Sequence, residues 1–183
     1  SSHRAFLSSS SMPPDLSTIE FDPTRGIYLA LWLDPVKMAE CVDNPRVRAA
    51  ARKLSPRKYI AHVDANLDFP MPDRPWHRSV IRFVGMGMPE DQPDQQITSD
   101  MCVPIYPASR HPTGREPLRL SQSFPFANCY QYSHVSATVR ISTELRDYRD
   151  AISLPVSEIL RYYRLLDEDR SKQDTLRDQT GHV

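Results

Sequence analysis

The chain has 183 residues, 39% hydrophobic and 25% charged, which suffices for one domain with a sizeable core and no metal or disulfide staples. Lys plus Arg equals Asp plus Glu at 23 each, so no field of one sign argues for nucleic acid or an anionic membrane as the main partner, and no run of about 18 apolar residues offers a transmembrane helix. Cys41, Cys102 and Cys129 stand in no pairwise metal spacing, so neither a disulfide framework nor a zinc knuckle is indicated and a reducing, cytoplasmic setting fits.

Seventeen prolines against five glycines reverse the usual order, so proline fixes the turns. Nothing resembles a phosphate-cradling loop or a dinucleotide fingerprint, which sets aside P-loop and Rossmann functions and leaves no cofactor to expect.

Ser1 to Ser11 is Ser-rich with Arg4 and no acid. It has a transit-peptide composition but no apolar h-region and precedes Met12, so it reads as an expression or processing remnant, flexible, with the fold in residues 12–170. Ile27 to Leu33 is an apolar run that predicts a buried strand. Asp34-Pro35 and Asn44-Pro45 are each an N-cap followed by proline in the first helical position. They predict two short helices, the first carrying Val36, Met38, Ala39 and Val42 and ending near Asp43. In the second, Val47, Ala50, Ala51 and Leu54 make a stripe to bury. Arg46, Arg48, Arg52, Lys53, Arg57 and Lys58 have no acidic residue among them and read as a solvated helix face rather than a phosphate-contacting patch.

Lys58 to Phe69 alternates: Tyr59, Ala61, Val63, Ala65, Leu67 and Phe69 are apolar, and His62, Asp64, Asn66 and Asp68 between them are polar. Side chains in a strand take opposite faces in turn, so the polar four are expected to share one wet face. Trp76 to Met86 completes an antiparallel hairpin. Setting Val63 against Phe83, Ala65 against Ile81, Asp64 against Arg82 and Asp68 against Arg78 satisfies both faces. A slip that puts His62 against Arg82 and Asn66 against Arg78 is electrostatically poorer.

Pro89 to Gln96 predicts an exposed loop. Met101 to Tyr106 predicts a strand that Pro104 either places at a sheet edge or ends early, and Leu118 to Ser121 a brief strand. Asn128 to Ser142 alternates Val135, Ala137, Val139 and Ile141 with His134, Ser136, Thr138 and Arg140, a half-buried strand long enough to bend or to contain a bulge. From Ser153-x-Pro155 to about Arg170, Val156, Ile159, Leu160, Tyr163 and Leu166 form the stripe of a helix packed on the sheet, and residues 171–183 read as a frayed polar tail. The class is therefore α+β: a curved antiparallel sheet packed on a long C-terminal helix, with two short helices after the first strand. That order is shared with the helix-grip arrangement, an architectural analogy that leaves function to the site.

Three places could carry chemistry. His62 and Asp64, with His77 across the hairpin, could hold a metal if a third ligand arrived, although the arginines opposite make them ordinary ion pairs. Tyr130, Tyr132, His134, Arg140 and Glu144 share one parity. If that face lines a cavity, His134 is a general acid or base and a tyrosine holds an oxyanion. Arg110-His111 sits in a Pro-rich loop that could cover a pocket, with Tyr163 and Trp76 as further ligand contacts. Cys102 and Cys129 read as buried small hydrophobes.

These features favour a pocket protein that holds a small, largely apolar or aromatic molecule between sheet and C-terminal helix and isomerises, cyclises or dehydrates it. The competing reading is a non-catalytic module binding a protein partner, or a second copy, through the Pro-rich loops or a strand edge. Exposure of Tyr106, Phe124, Phe126 or Tyr130 would mark its patch. A metal-dependent hydrolase using His62 and Asp64 is the third.

Overall fold

The computed structural model describes residues 25–180 together with residues 19, 20 and 23; the expectation for residues 1–11 lies outside the described residues, as do 181–183. Five antiparallel strands form the main sheet: β2 (Tyr28–Leu33), β3 (Arg57–Asn66), β4 (Trp76–Met86), β5 (Cys102–Ile105) and β6 (Cys129–Ser142), in the spatial order β2-β3-β4-β6-β5. A two-residue strand β1 (Ile19–Glu20) pairs with β7 (Arg146–Asp147) apart from it. Helices α1 (Pro35–Ala39) and α2 (Pro45–Ala51) follow β2, and the long α3 (Val156–Thr180) ends the described chain. The α+β class, the five-stranded antiparallel sheet, the two short helices and the long C-terminal helix are as the sequence predicts. No helix among the described residues is long and apolar enough to cross a membrane.

Local chemistry explains the starts of both short helices. Asp34 Oδ1 accepts from the backbone N–H groups of Val36 and Lys37 at 3.0 and 3.2 Å, and Asn44 Oδ1 accepts from those of Arg46 and Val47 at 2.9 and 3.4 Å. Each cap satisfies donors that a first turn leaves free, a contribution of about 1 kcal/mol apiece. Pro104 lies in the edge strand β5, where the ladder does not need its missing N–H on the open side. The stretch from Leu118 makes one parallel bridge to Ile105 instead of a strand, and Pro93–Gln95 forms a single 3-10 turn in the expected loop.

The sheet departs from ideal pairing twice. On β3 the register begins with His62 opposite Arg82 and Val63 opposite Ile81, then shifts at Asp64 so that Ala65 meets Val80 and Asn66 meets Ser79. The favoured register, with Val63 opposite Phe83 and Ala65 opposite Ile81, is therefore not formed; the slipped one holds up to Val63, and the extra residue ends it before Asn66 reaches Arg78. It moves Asn66 onto the face of Ser79, whose hydroxyl donates to its Oδ1 at 2.8 Å, so the four polar residues of β3 do not share one face. His77 lies opposite Ile141 and meets Thr143 Oγ1 at 3.1 Å, away from His62. On β6 the shift is larger. Arg82 faces Ser136 and Val84 faces Gln131, so the run from Tyr132 to Val135 stands opposite Phe83 alone.

The main core lies between sheet and α3, where Tyr28, Val103, Ile105, Leu118, Tyr162 and Leu166 are buried. Of the predicted stripe, Leu166 is buried and Ile159 and Tyr163 pack partly buried against the core, whereas Val156 and Leu160 are exposed; Tyr162, Leu165 and Asp169 complete the buried face. Asp169 disguises this face in the sequence, since a carboxylate is seldom fully buried without a partner. Its partner is Arg115, which donates to both carboxylate oxygens, at 2.9 and 2.5 Å, and to the carbonyls of Asp100 and Cys102. Burial acts against the Arg115 charge, but the Asp169 carboxylate outweighs it and the guanidinium pKa is raised. Beyond it Lys172 donates to both oxygens of Asp100 at 2.7 Å and Gln173 to the carbonyl of Gln95. Residues 171–180, expected as a frayed tail, are therefore helix, because polar bonds rather than an apolar stripe fasten them.

Arg115→Met leaves the Asp169 carboxylate buried without its cation and is expected to cost about 3–5 kcal/mol in urea unfolding, while the double variant Arg115→Met/Asp169→Leu recovers most of that loss. A loss under about 1 kcal/mol for the single variant would show that the pair does not fasten helix to sheet.

Candidate functional site

The polar side of β3 faces α3. His62 is fully buried and Asp64 nearly so. Arg82 Nε donates to Asp64 Oδ2 at 3.0 Å and its Nη1 to the Ser133 carbonyl at 3.1 Å, and the Tyr163 hydroxyl donates to Asp64 Oδ1. Arg25 lies over the Tyr163 ring, 4.5 Å from its centre. Burial and this acceptor raise the Tyr163 hydroxyl pKa. His62 is held by rings, with Tyr28 at 5.2 Å and Tyr162 at 5.8 Å between centroids. The Tyr28 hydroxyl donates to Gln131 Oε1 at 2.5 Å. Both His62 ring nitrogens have no hydrogen-bond partner among the described residues. The space between sheet and helix is thus filled at this point by aromatic and polar side chains. Asp64 is occupied by Arg82 and Tyr163, and no group of three His, Cys, Asp or Glu able to hold a metal occurs among the described residues.

Open space begins one step along the sheet, at the β6 irregularity. A cleft of about 200 Å³ is lined by Arg82, Ser133, His134 and Ser136 from the sheet and by Asp169 and Arg170 from α3. The extra residues of β6 create it, because they turn Ser133 and His134 out of the regular alternation and toward the helix. His134 stacks on Tyr132 with centroids 5.9 Å apart and planes 7° apart. Tyr132 in turn crosses Gly85, where an added Cβ would stand 2.1 Å from the tyrosine hydroxyl, and donates to the Gly87 carbonyl. Ser133 Oγ and His134 Nδ1 are buried with no partner among the described residues. Burial lowers the His134 pKa against a hydrogen bond to the Met101 backbone and the Asp169 charge, which favours the neutral ring near pH 7.

The other sequence candidates scatter. Tyr130 is buried beside Cys102 and Ala108, and its hydroxyl donates to the Arg110 carbonyl. His111 binds the Asp100 carbonyl through Nε2 at 3.0 Å, with burial lowering its pKa, and so braces the loop near Arg115. Arg140 lies over the ring of Trp76, 4.1 Å from its centre, beside Trp32 and Lys37 and away from His134. Tyr163 belongs to the Asp64 cluster. Of the expected catalytic group, only His134 and Tyr132 stand together. Arg82, Ser133 and Asp169 join the cleft without having been singled out as site residues, for alternation hides a bulge and Asp169 lay outside the predicted helical stripe. The thiol of Cys102 is pushed up to about 12 by burial, which removes it as a nucleophile near neutral pH. The three cysteines are free.

Compared with family models, curated proteins and solved structures, the chain matches none. The functional reading therefore rests on the site alone.

Burial lowers the His62 pKa to about 4, with Arg82 and Arg25 acting in the same direction and Asp64 against it. The unfolded chain then binds the additional proton between about pH 6.5 and 4, so stability rises with pH across that window. The contribution, on the order of 3 kcal/mol, is fully present above 6.5 and lost as pH falls toward 4. His62→Phe keeps the ring contacts and is expected to fold with near-unchanged stability at pH 7 and a flatter acid limb in chemical unfolding between pH 7 and 4.5. An unchanged slope would show that His62 is not buried neutral.

Proposed function

We propose that the chain binds a small polar molecule in the cleft between β6 and α3, with His134, Ser133 and Arg82 as its contacts. The observation that supports this reading most is the coincidence of open volume with buried polar atoms that have no partner. Ser133 and His134, whose Oγ and Nδ1 these are, line an open cleft of the sheet–helix interface. Buried polar groups are almost always hydrogen-bonded, because leaving one unpaired costs about 1–3 kcal/mol, so such atoms beside a cleft mark where a hydrogen-bonding guest gains most. Beside Met101 and Leu166 the lining is hydroxyl, imidazole, guanidinium, carboxylate and the Gln173 amide, a polar majority that suits an oxygen-rich ligand better than the largely apolar one the element order suggests.

Catalysis at this site is a further step of the same proposal. His134, neutral and backed by the Tyr132 ring, can take a proton from a bound molecule and return it elsewhere, as an isomerisation or dehydration requires.

A thermal-shift and ligand-observed NMR screen tests the reading with two sets of probes: small hydroxy acids, sugars and nucleobases on one side, aromatic and terpenoid hydrocarbons on the other. A ligand that binds only the native state at 100 times its Kd raises stability by about 2.7 kcal/mol. The expected result is hits in the polar set whose affinity falls at least ten-fold in His134→Ala and Ser133→Ala, both verified as folded by circular dichroism. Hits confined to the apolar set, or polar hits indifferent to both substitutions, would contradict the proposal.

A further inference from the structure

The two capped helices carry more apolar surface than the fold uses. In α2 only Ala51 of the Val47, Ala50, Ala51, Leu54 stripe is buried; Val47 is 41% exposed and Leu54, just beyond the helix, 62%. With Met38 and Val42 of the preceding segment and Leu33 and Tyr59 of the adjoining strands, they line a groove of about 410 Å³. Apolar side chains left in water forfeit about 25 cal/mol per Å² of possible burial, and a contiguous set of them marks a binding surface more often than chance exposure.

Basic side chains outnumber acidic ones beside this groove, where the exposed acids are Glu40 at the end of α1 and Asp43 just beyond it. Arg46, Arg52, Lys53 and Arg57 are exposed, and Arg57 itself lines the groove. Among the described residues none of these four has a carboxylate within ion-pair distance, whereas Arg48 at least reaches Asp43 at 3.8 Å. In a chain whose formal net charge is zero, four uncompensated cations beside an apolar groove form a local field with a direction.

We infer that this groove docks an acidic amphipathic segment of a partner protein, its apolar side chains entering between α1, α2 and Tyr59 and its carboxylates meeting Arg46, Arg52, Lys53 and Arg57. Each half of the surface argues against the other occupants. A nucleic-acid backbone pairs with the cations but has no use for Leu33, Val47 and Leu54. A bilayer accepts an apolar helix face that protrudes, whereas here the apolar residues line a hollow between two helices and a strand end. Of the chain's own N-terminal part, residues 1–14 contain no acid, and the acidic stretch from Asp15 to Asp22 includes Ile19 and Glu20, which pair with β7. A peptide with hydrophobic residues three and four apart and glutamate or aspartate between them meets both requirements at once.

The experiment is a selection from a random 16-residue display library on the immobilised full chain, followed by binding of the enriched peptides, made synthetically, to wild type, Val47→Asp and Arg52→Glu/Arg57→Glu. All three substituted side chains are exposed, and unchanged thermal melting verifies that the variants are folded. The expected result is enrichment of net-negative peptides with Leu, Phe or Trp at helical spacing. Their affinity falls at least ten-fold in each variant, and also in wild type between 50 and 300 mM salt. No enrichment, enrichment of neutral or basic peptides, or affinity indifferent to the variants would overturn the inference. A dimer in sedimentation velocity that Leu54→Asp dissolves would also overturn it by assigning the groove to a second copy. Co-sedimentation with vesicles containing phosphatidylserine that Val47→Asp abolishes would assign it to a membrane surface.

Discussion

The architecture depends on burying a polar row. The His62 side of β3 lies under α3, so Asp64 has to be satisfied inside the protein rather than by water, and an unpaired buried carboxylate is costly. Arg82 from the neighbouring strand and Tyr163 from the helix together occupy it. This arrangement fixes the rotation of α3 about its own axis. Tyr163 reaches Asp64 while Tyr162 and Leu166 enter the core and Asp169 comes over Arg115, since positions three, four and seven apart share a helix face. Charge pairing and apolar packing then agree on one docking geometry, and that agreement gives a sequence a single fold.

Two irregularities convert that scaffold into something with a site. The extra residue at Asp64 lets the carboxylate meet Arg82 while Asn66 turns to Ser79 on the other face. The longer departure on β6 takes Ser133 and His134 out of the pairing with β4 beside the same arginine. Arg82 is shared by both, bonded to Asp64 on one side and to the Ser133 carbonyl on the other, so the packing of the helix and the shape of the cleft are mechanically one problem. The α1–α2 groove is separate from it in the fold. A small polar guest in the cleft and a peptide on the groove could therefore be present together.

Much of the fold is legible in the sequence for local reasons. Asp34-Pro35 and Asn44-Pro45 announce helix starts because capping is a matter of a few adjacent atoms, Pro104 announces an edge strand or an early strand end because a central strand needs its N–H, and alternation locates β4 and β6 within a residue. The failures are all non-local. Alternation on β3 reads as a wet and a dry face, but it cannot reveal that α3 covers the polar side, nor that a bulge divides the row. The α3 stripe places Ile159, Tyr163 and Leu166 on the core but omits Tyr162, Leu165 and Asp169, the last because it is buried by a partner 54 residues away. The helix is cut short at residue 170 because Lys172 and Gln173 are held by polar bonds to a loop. Of the site, His134 and Tyr132 were visible as functional residue types on one strand; Ser133 and Arg82 were not, since their role comes from a register shift that composition does not encode.

The most direct measurement of the docking geometry is a double-mutant cycle between Asp64→Asn and Tyr163→Phe, read by urea unfolding at pH 7. Groups that share a buried hydrogen bond couple by roughly 0.5–3 kcal/mol, whereas groups that do not touch add within about 0.3–0.5 kcal/mol. A coupling of at least about 1 kcal/mol is the result predicted by a helix whose Tyr163 donates to Asp64 across the polar face of the sheet. Strict additivity would contradict it and with it the placement of α3 over that face.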